Sequence, residues 1–453
     1  MLKAKHIDAT TGKLIPNILL YTMPILMNSL IQQIYNSIDK IVLGNMASSV
    51  ALAAVGASSY TYSFLINLFI GCSAGVRVIL SRYIGERNPL KIKSTVDTSL
   101  ILAIIFGVIA AVIGYFAIPW LMKATKCPDE CYNEAVLYLR IYISAAPIIV
   151  LSNFSTSILN TAGDTRRTMM IGIGSGFGKV CLSFSLCLLL PNKVVAVSLA
   201  TVLSVLLTAS LNLHYLTKGV GQVQLRIRKL DWNTKICGKV LSQGLPIGIS
   251  LCLPPFTDMM LQTQTNLLGV SAMAANSGAG AIDHITLSVV NALPVTCGVF
   301  IGQNLGAQKH DRVKKVLWYC LGLEVILGIL VTACSYLIRR PILSIVLLDD
   351  PVAFELAMVK LDRMLPWIMF NGIGSLCEQF LRNLGYTKSS SSVTIITKMI
   401  LRLIFAWFIY PLFGTFSVLM LHYGIGYFVN FLGQAAISVV AYYRYGKGKY
   451  KRL

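Results

Sequence analysis

The stretch Pro24 to Gly44, PILMNSLIQQIYNSIDKIVLG, decides how the chain folds. It reads as an apolar helix with a carboxylate inside it. Asn28, Gln32, Tyr35 or Asn36, and Asp39 recur at helical spacing, so they share one polar stripe. In a bilayer a charged residue costs about 2.5–3.5 kcal/mol and normally faces a bundle interior or a wet cavity. Amides and serines alone would fit a stripe that only holds neighbouring helices together. A carboxylate goes further, because in low dielectric it can take up and release protons near neutral pH.

The rest of the chain has the same character. Of 453 residues, 55% are hydrophobic and 13% are charged, with a mean hydropathy of +0.70. Soluble domains carry about 25% charged residues. The class is a polytopic helical membrane protein, because only helices or closed barrels satisfy backbone groups in lipid. The apolar runs are too long and too little alternating for a barrel. The net charge of +21 does not point to nucleic acid, because the basic residues sit in short clusters between apolar spans. The eleven cysteines are scattered, mostly inside apolar runs, and their spacing matches no zinc site. Cys127 and Cys131 form the one local pair; two free thiols are the expectation and a disulfide the alternative. The first fifteen residues lack a cleavable signal pattern, so the first span is expected to act as an uncleaved signal.

Twelve spans emerge, at about 15–40, 51–80, 97–122, 135–160, 168–190, 194–216, 240–268, 275–302, 316–338, 355–381, 391–412 and 417–442. The loops after even-numbered spans are basic, with Arg82 and Arg87, Arg166 and Arg167, Arg226 and Arg228, Lys314 and Lys315, and Arg382 and Lys388. The opposite loops are short or carry acids such as Asp129, Glu130, Asp349 and Asp350. This bias places both termini in the cytoplasm. The chain also repeats itself. Pro24 returns as Pro246 and Gly163-Asp-Thr-Arg166 as Gly385-Tyr-Thr-Lys388, both 222 residues later. RYIGER at 82–87 returns as QNLGAQ at 303–308, 221 later. An even number of spans per half gives parallel repeats, with a site between or within the halves. The expected fold is an all-α membrane protein with twelve transmembrane helices in two parallel-repeat six-helix lobes. The lobes are residues 1–217 and 240–453, joined by a cytoplasmic linker at 218–239.

On these segments the chain resembles the multidrug and toxic compound extrusion (MATE) transporters. The matching residues are Pro24, Gln32, Gln33, Tyr35, Asp39 and Gly44, with SRYIGERN at 81–88, LNTAGDTR at 159–166, GQNLGAQKHDR at 302–312 and RNLGYTK at 382–388. The resemblance implies two six-helix lobes forming a V, with cations moving inward as organic substrates move outward. It also implies a coupling acid on the first helix, where Asp39 sits. The acid that often accompanies it on the fifth helix is absent, and Lys179 lies in that span instead. A glutamate that other members carry on the seventh helix is replaced by Pro254, with Asp258 the nearest acid. The chain departs from both coupling patterns, so the coupling ion stands as H+ or Na+.

Asp39, Lys179 and Asp258 are therefore the candidate ion-coupling residues. Lys179 can act as a switch if protonation of Asp39 breaks a pair between them; a permanent structural pair is the alternative. Asp258 heads a second stripe with Gln262 and Asn266, and Pro254-Pro255 before it should kink the helix. The candidate substrate cavity takes Gln32, Tyr35, Asn36, Gln262, Asp283, Asn371, Ser375 and Glu378. For Glu378 an i,i+4 ion pair with Arg382 competes with that role. Asp283 and His284 read as near a helix end, where solvation competes with function. Lys179, Lys398 and Arg402 fit poorly with a purely cationic pocket, and Glu324 could neutralise one of them. GIGSGFG at 172–178 lies inside a span and suits close helix packing better than phosphate binding.

The sequence carries neither HExxH nor a Walker motif, so no enzymatic activity, cofactor or metal is expected. The expected function is a secondary-active multidrug exporter in the cell membrane, running proton- or sodium-coupled antiport of organic, often cationic compounds by alternating access. The expected partners are the lipid bilayer and small organic substrates, with no nucleic acid, and the protein is expected to be a monomer. One alternative is a flippase for lipid-linked oligosaccharides, whose pyrophosphate head groups need cations. A membrane-embedded enzyme or receptor is a further one.

Overall fold

The computed structural model describes the backbone of residues 7–46, 49–124, 129–226, 229–347 and 350–448. It describes their side chains except at 36–46, 49–57, 59–60, 124 and 345–346. Among the described residues the helices follow one another in twelve successive columns, and no extended strand forms. The first half holds α1 (Leu14–Met46), α2 (Ser49–Gly85), α3 (Pro89–Ala124), the pair α4 (Asp129–Ser144) and α5 (Ala146–Thr161), α6 (Thr165–Leu189) and α7 (Lys193–Lys218). The second half holds α8 (Thr234–Leu267), the pair α9 (Val270–Val290) and α10 (Ala292–Gly306), α11 (His310–Val346), and the pair α12 (Pro351–Met364) and α13 (Ile368–Asn383). It ends with a column opening on α14 (Thr387–Ile395) and containing α15 (Leu401–Ile404), then α16 (Phe416–Gly446).

Ten helices among the described residues are long and apolar enough to cross a membrane, and the α4–α5 pair, bent by 52°, makes an eleventh. Side chains cap several starts. Asp164 accepts from Arg167 N–H at α6 and Asn192 from Val194 N–H at α7. Asp350 accepts from Ala353 N–H at α12, and that bond holds its carboxyl below the usual carboxylate range.

The repeat is visible bond by bond. Arg87 and Gln308 both take left-handed backbone, at φ 52° and 57°. Around them Asn88 N–H donates to Tyr83 O and Lys309 N–H to Asn304 O, at 3.3 and 2.9 Å. Gly163 and Gly385 share φ of 92° and 83°, with Asp164 N–H on Leu159 O and Tyr386 N–H on Leu381 O at 3.2 and 2.9 Å. Two correspondences were not read from the sequence. Pro119 in α3 matches Pro341 in α11. The α4–α5 break at Ala145 matches the 3-10 turn Leu365–Trp367 between α12 and α13.

The chain divides into two compact units, residues 1–252 with 302–309, and 253–301 with 310–453. The division falls within α8 just before Pro254, not in the 218–239 stretch. The expected kink does not interrupt the helix: α8 runs unbroken through Pro254 and Pro255. Proline still removes two N–H donors there, as it must.

Within the first unit, the repeated glycines of RYIGER and QNLGAQ have a packing cause. A Cβ on Gly85 would sit 2.0 Å from Gln303 O, and one on Gly306 would sit 1.9 Å from Arg82 O. The two corners therefore touch reciprocally, backbone on backbone. The polar residues of GQNLGAQK hold the leading segment of the chain. Gln303 accepts from Ala9 N–H at 3.2 Å and donates to Thr161 O at 2.9 Å. Asn304 donates to Ala9 O at 3.0 Å and Lys309 to Thr10 O at 2.8 Å.

Candidate functional sites in the two units

In the first unit, α1 and α6 form a close seam, and the glycines of GIGSGFG make it possible. A Cβ at Gly172 would fall 1.9 Å from Asn28 Oδ1, and one at Gly176 would fall 1.6 Å from the Tyr35 ring. Tyr35 donates to Ile173 O at 3.2 Å. The glycine run is thus a packing groove for the polar stripe of α1. Gln32 is exposed on α1. Lys179 follows Gly176 by one turn and is buried. Asn36 and Asp39 lie on α1, but their side chains fall outside the described residues. Cys127 also lies outside them, and Cys131 is buried.

The second unit brings more of the candidates together. Arg402 donates to Asp258 at 2.6 Å and lies over the Tyr423 ring at 5.0 Å. Lys360 lies over the same ring at 5.2 Å and donates to Asn276 Oδ1 at 2.7 Å and to its carbonyl at 3.2 Å. Asn276 donates to Gln262 Oε1 at 2.7 Å, and Gln262 to Asn266 Oδ1 at 2.8 Å. The result is one polar chain from α8 through α9, α12 and α16, with two cations on one tyrosine. Lys360 is 2% exposed and Arg402 6%. A buried cation needs paired acceptors, and here they come from an aspartate, an amide, a carbonyl and an aromatic face.

Asp283 belongs to this neighbourhood rather than to a solvated helix end. It is buried, Lys360 is the leading positive charge in its field, and its Oδ1 has no hydrogen-bond partner among the described residues. His284 beside it is exposed. Around Arg402 the helix is irregular, with π-helical turns at Ile396–Ile400 and Phe405–Ile409 flanking α15. Such turns add a residue to the helical cycle and re-aim side chains, often at functional sites. Lys398, inside the first of them, donates to Asn371 at 3.0 Å.

Glu378 is drawn into helix packing. One oxygen accepts from Arg382 at 2.9 Å and the other from Thr394 at 2.8 Å, all buried. Ser375 lies one turn before it and is half-buried. Among the described residues Glu324 forms no ion pair with a lysine or arginine. It packs against Gly372 with both oxygens lacking a hydrogen-bond partner among the described residues.

Lys360 escaped the sequence reading, as did His422, buried on α16 with Nδ1 2.5 Å from Leu419 O. Lys360 is an ionisable residue inside a span, which is signal enough in principle. Asp362 and Arg363 follow within three residues and make the stretch resemble a span end. Among the described residues, no three His, Cys, Asp or Glu residues are placed to hold a metal.

The MatE family model matches residues 24–184 and 246–408, one match in each half. A probable multidrug resistance protein, YoeA of Bacillus subtilis, is 24% identical over 352 residues, 76% of each chain. An FAD transporter of Shewanella oneidensis is 23% identical over 312 residues, 67% of this chain and 69% of its own. The fold matches that of a solved MOP-superfamily transporter from Pyrococcus furiosus, described as having a binding pocket of reversed polarity that suggests a different function. Its TM-score is 0.87 at 20% identity, over 97% of this chain and 99% of that one. These transporters are twelve-helix, two-lobe membrane proteins, the architecture expected from the repeated spans. With a match in each repeat and the fold shared end to end, the chain belongs to the MatE family of multi-pass membrane transporters.

Proposed function

We propose that this chain is a secondary-active exporter of the multidrug type, moving organic compounds outward by alternating access at the expense of an inward proton or sodium gradient. It sits in the cell membrane with both termini in the cytoplasm. The observation that carries the reading is the pair of half-buried Asp258 with buried Arg402, joined through Tyr423 to Lys360. An ionic network at span depth has little reason to persist as mere packing, because apolar residues of the same volume are often as stable. It supplies a group that an ion or proton can compete for.

Asp39 and Lys179 are the candidate coupling residues of the first unit, by their places on α1 and α6. The seam supports this by register: Asn28 meets Gly172 and Tyr35 meets Gly176, and the next turns of α1 and α6 carry Asp39 and Lys179. Asp39→Asn is expected to abolish gradient-driven efflux from proteoliposomes while leaving the protein folded. Efflux at the parent's rate would remove Asp39 from the mechanism.

A second reading is favoured by one specific feature, the two buried cations on Tyr423. They suit an anionic group on the cargo, such as a phosphate of a dinucleotide or of a lipid-linked sugar. The FAD transporter of Shewanella oneidensis is a relative whose cargo has that chemistry.

A further inference from the structure

A cavity of about 550 Å³ lies in the first unit, along α1 beside the start of α6. Its wall changes character along its length. At one end stand Asn17 and Arg166; beyond them come Leu20, Met23, Met27 and Met169. Leu20, Met23 and Met27 are 58%, 56% and 45% exposed. Their spacing puts them on one face of α1, and Arg166 and Met169 repeat the order one turn apart on α6. From Asn17 to Met27 the groove runs about 15 Å along the helix. That suits a polar head and roughly ten methylene groups of a chain.

The charges at the polar end are unequal in their commitments. Arg167 pairs with Asp164 at 3.0 Å and lies over the Tyr215 ring at 5.1 Å. Asp8 accepts from Thr10 N–H and Thr10 Oγ1 at 2.8 and 2.6 Å and faces Arg87 at 3.7 Å. Arg166 is exposed and has no acidic partner among the described residues. The strap above the cavity is held in place, with Asn17 donating to Thr11 O at 3.1 Å and Ile7 N–H to Gly163 O at 3.3 Å. Among the described residues, the charge at the mouth without an opposite partner is therefore positive, and the wall behind it is apolar and rich in adaptable methionines.

We propose that this groove is a binding site for an anionic phospholipid of the surrounding bilayer, with its phosphate on Arg166 and Asn17 and one acyl chain along Leu20, Met23, Met27 and Met169. Basic pockets at the ends of membrane helices bind anionic head groups in this manner, and the apolar wall accounts for a lipid rather than free phosphate.

The test uses the full chain in phosphatidylcholine vesicles doped with a photoreactive phosphatidylglycerol, with the sites of labelling mapped by mass spectrometry. Labelling is expected on the peptides spanning 20–27 and 163–169, displaced by unlabelled phosphatidylglycerol and not by added phosphatidylcholine. Arg166→Gln should lower that labelling about fivefold, the worth of one basic group near the surface. Met23→Trp, which keeps the charge and fills the groove, should lower it as well. Equal displacement by phosphatidylcholine, labelling confined to other helices, or undiminished labelling in both variants would overturn the proposal.

Discussion

Asp258→Ala is expected to stop transport and to cost about 3 kcal/mol of stability. The cost comes from what remains: Arg402, 6% exposed, would keep its guanidinium in the interior with no carboxylate. Removing one partner of a fully buried pair typically costs 3–5 kcal/mol, and the lower end applies because Asp258 is itself half-buried and the Tyr423 face, 5.0 Å away, still attracts the cation. Converting both residues, Asp258→Leu with Arg402→Met, removes the buried guanidinium together with its partner and should recover most of the thermal stability without recovering efflux. Thermal unfolding in detergent and efflux from proteoliposomes separate the two effects. A double variant as unstable as Asp258→Ala would contradict the pairing. Normal efflux by either variant would take the pair out of the transport cycle.

Lys360→Met is expected to discriminate between cargo classes. The substitution keeps the length of the side chain and removes an ammonium held by Asn276 and Tyr423. Stability should fall as well, because the buried acceptors of Asn276 lose their donor and buried Asp283 loses its leading positive neighbour. A charge-assisted hydrogen bond to cargo is worth about 1.5–3 kcal/mol, so the KM for anionic compounds should rise about ten- to a hundredfold. The KM for cationic compounds should stay within about threefold of the parent, a difference under 1 kcal/mol. The reverse pattern, a loss confined to cationic compounds, would contradict placing the cargo's anionic group at Lys360.

The architecture was legible in the sequence because lipid leaves the backbone few choices. Runs of twenty or more apolar residues must be helices, and basic clusters between them mark the loops. Pro24 with Pro246 and RYIGER with QNLGAQ sufficed to reveal the repeat, and Arg87 and Gln308 take the same left-handed turn at its corners. The function of those corners was not legible. Their glycines serve a reciprocal contact, and Gln303 and Asn304 hold Ala9, nearly 300 residues away. Such long-range partners leave no local period.

The site was half legible. Asp258 and its stripe followed from spacing, and Asn276 supplies the link to Lys360 that spacing could not. The π-helical turns around Arg402 are equally silent in sequence, since an extra residue in one turn shifts the phase of every side chain after it. Glu378 illustrates the opposite case. Its i,i+4 spacing to Arg382 was the better guide, and the ion pair at 2.9 Å takes up the carboxylate.

The most direct test of coupled export is efflux of a panel of anionic and cationic compounds from proteoliposomes, with a proton gradient and a sodium gradient imposed separately. One of the two gradients alone is expected to drive efflux, and dissipating it should stop the flux. Compound movement that equilibrates regardless of either gradient would contradict secondary-active transport.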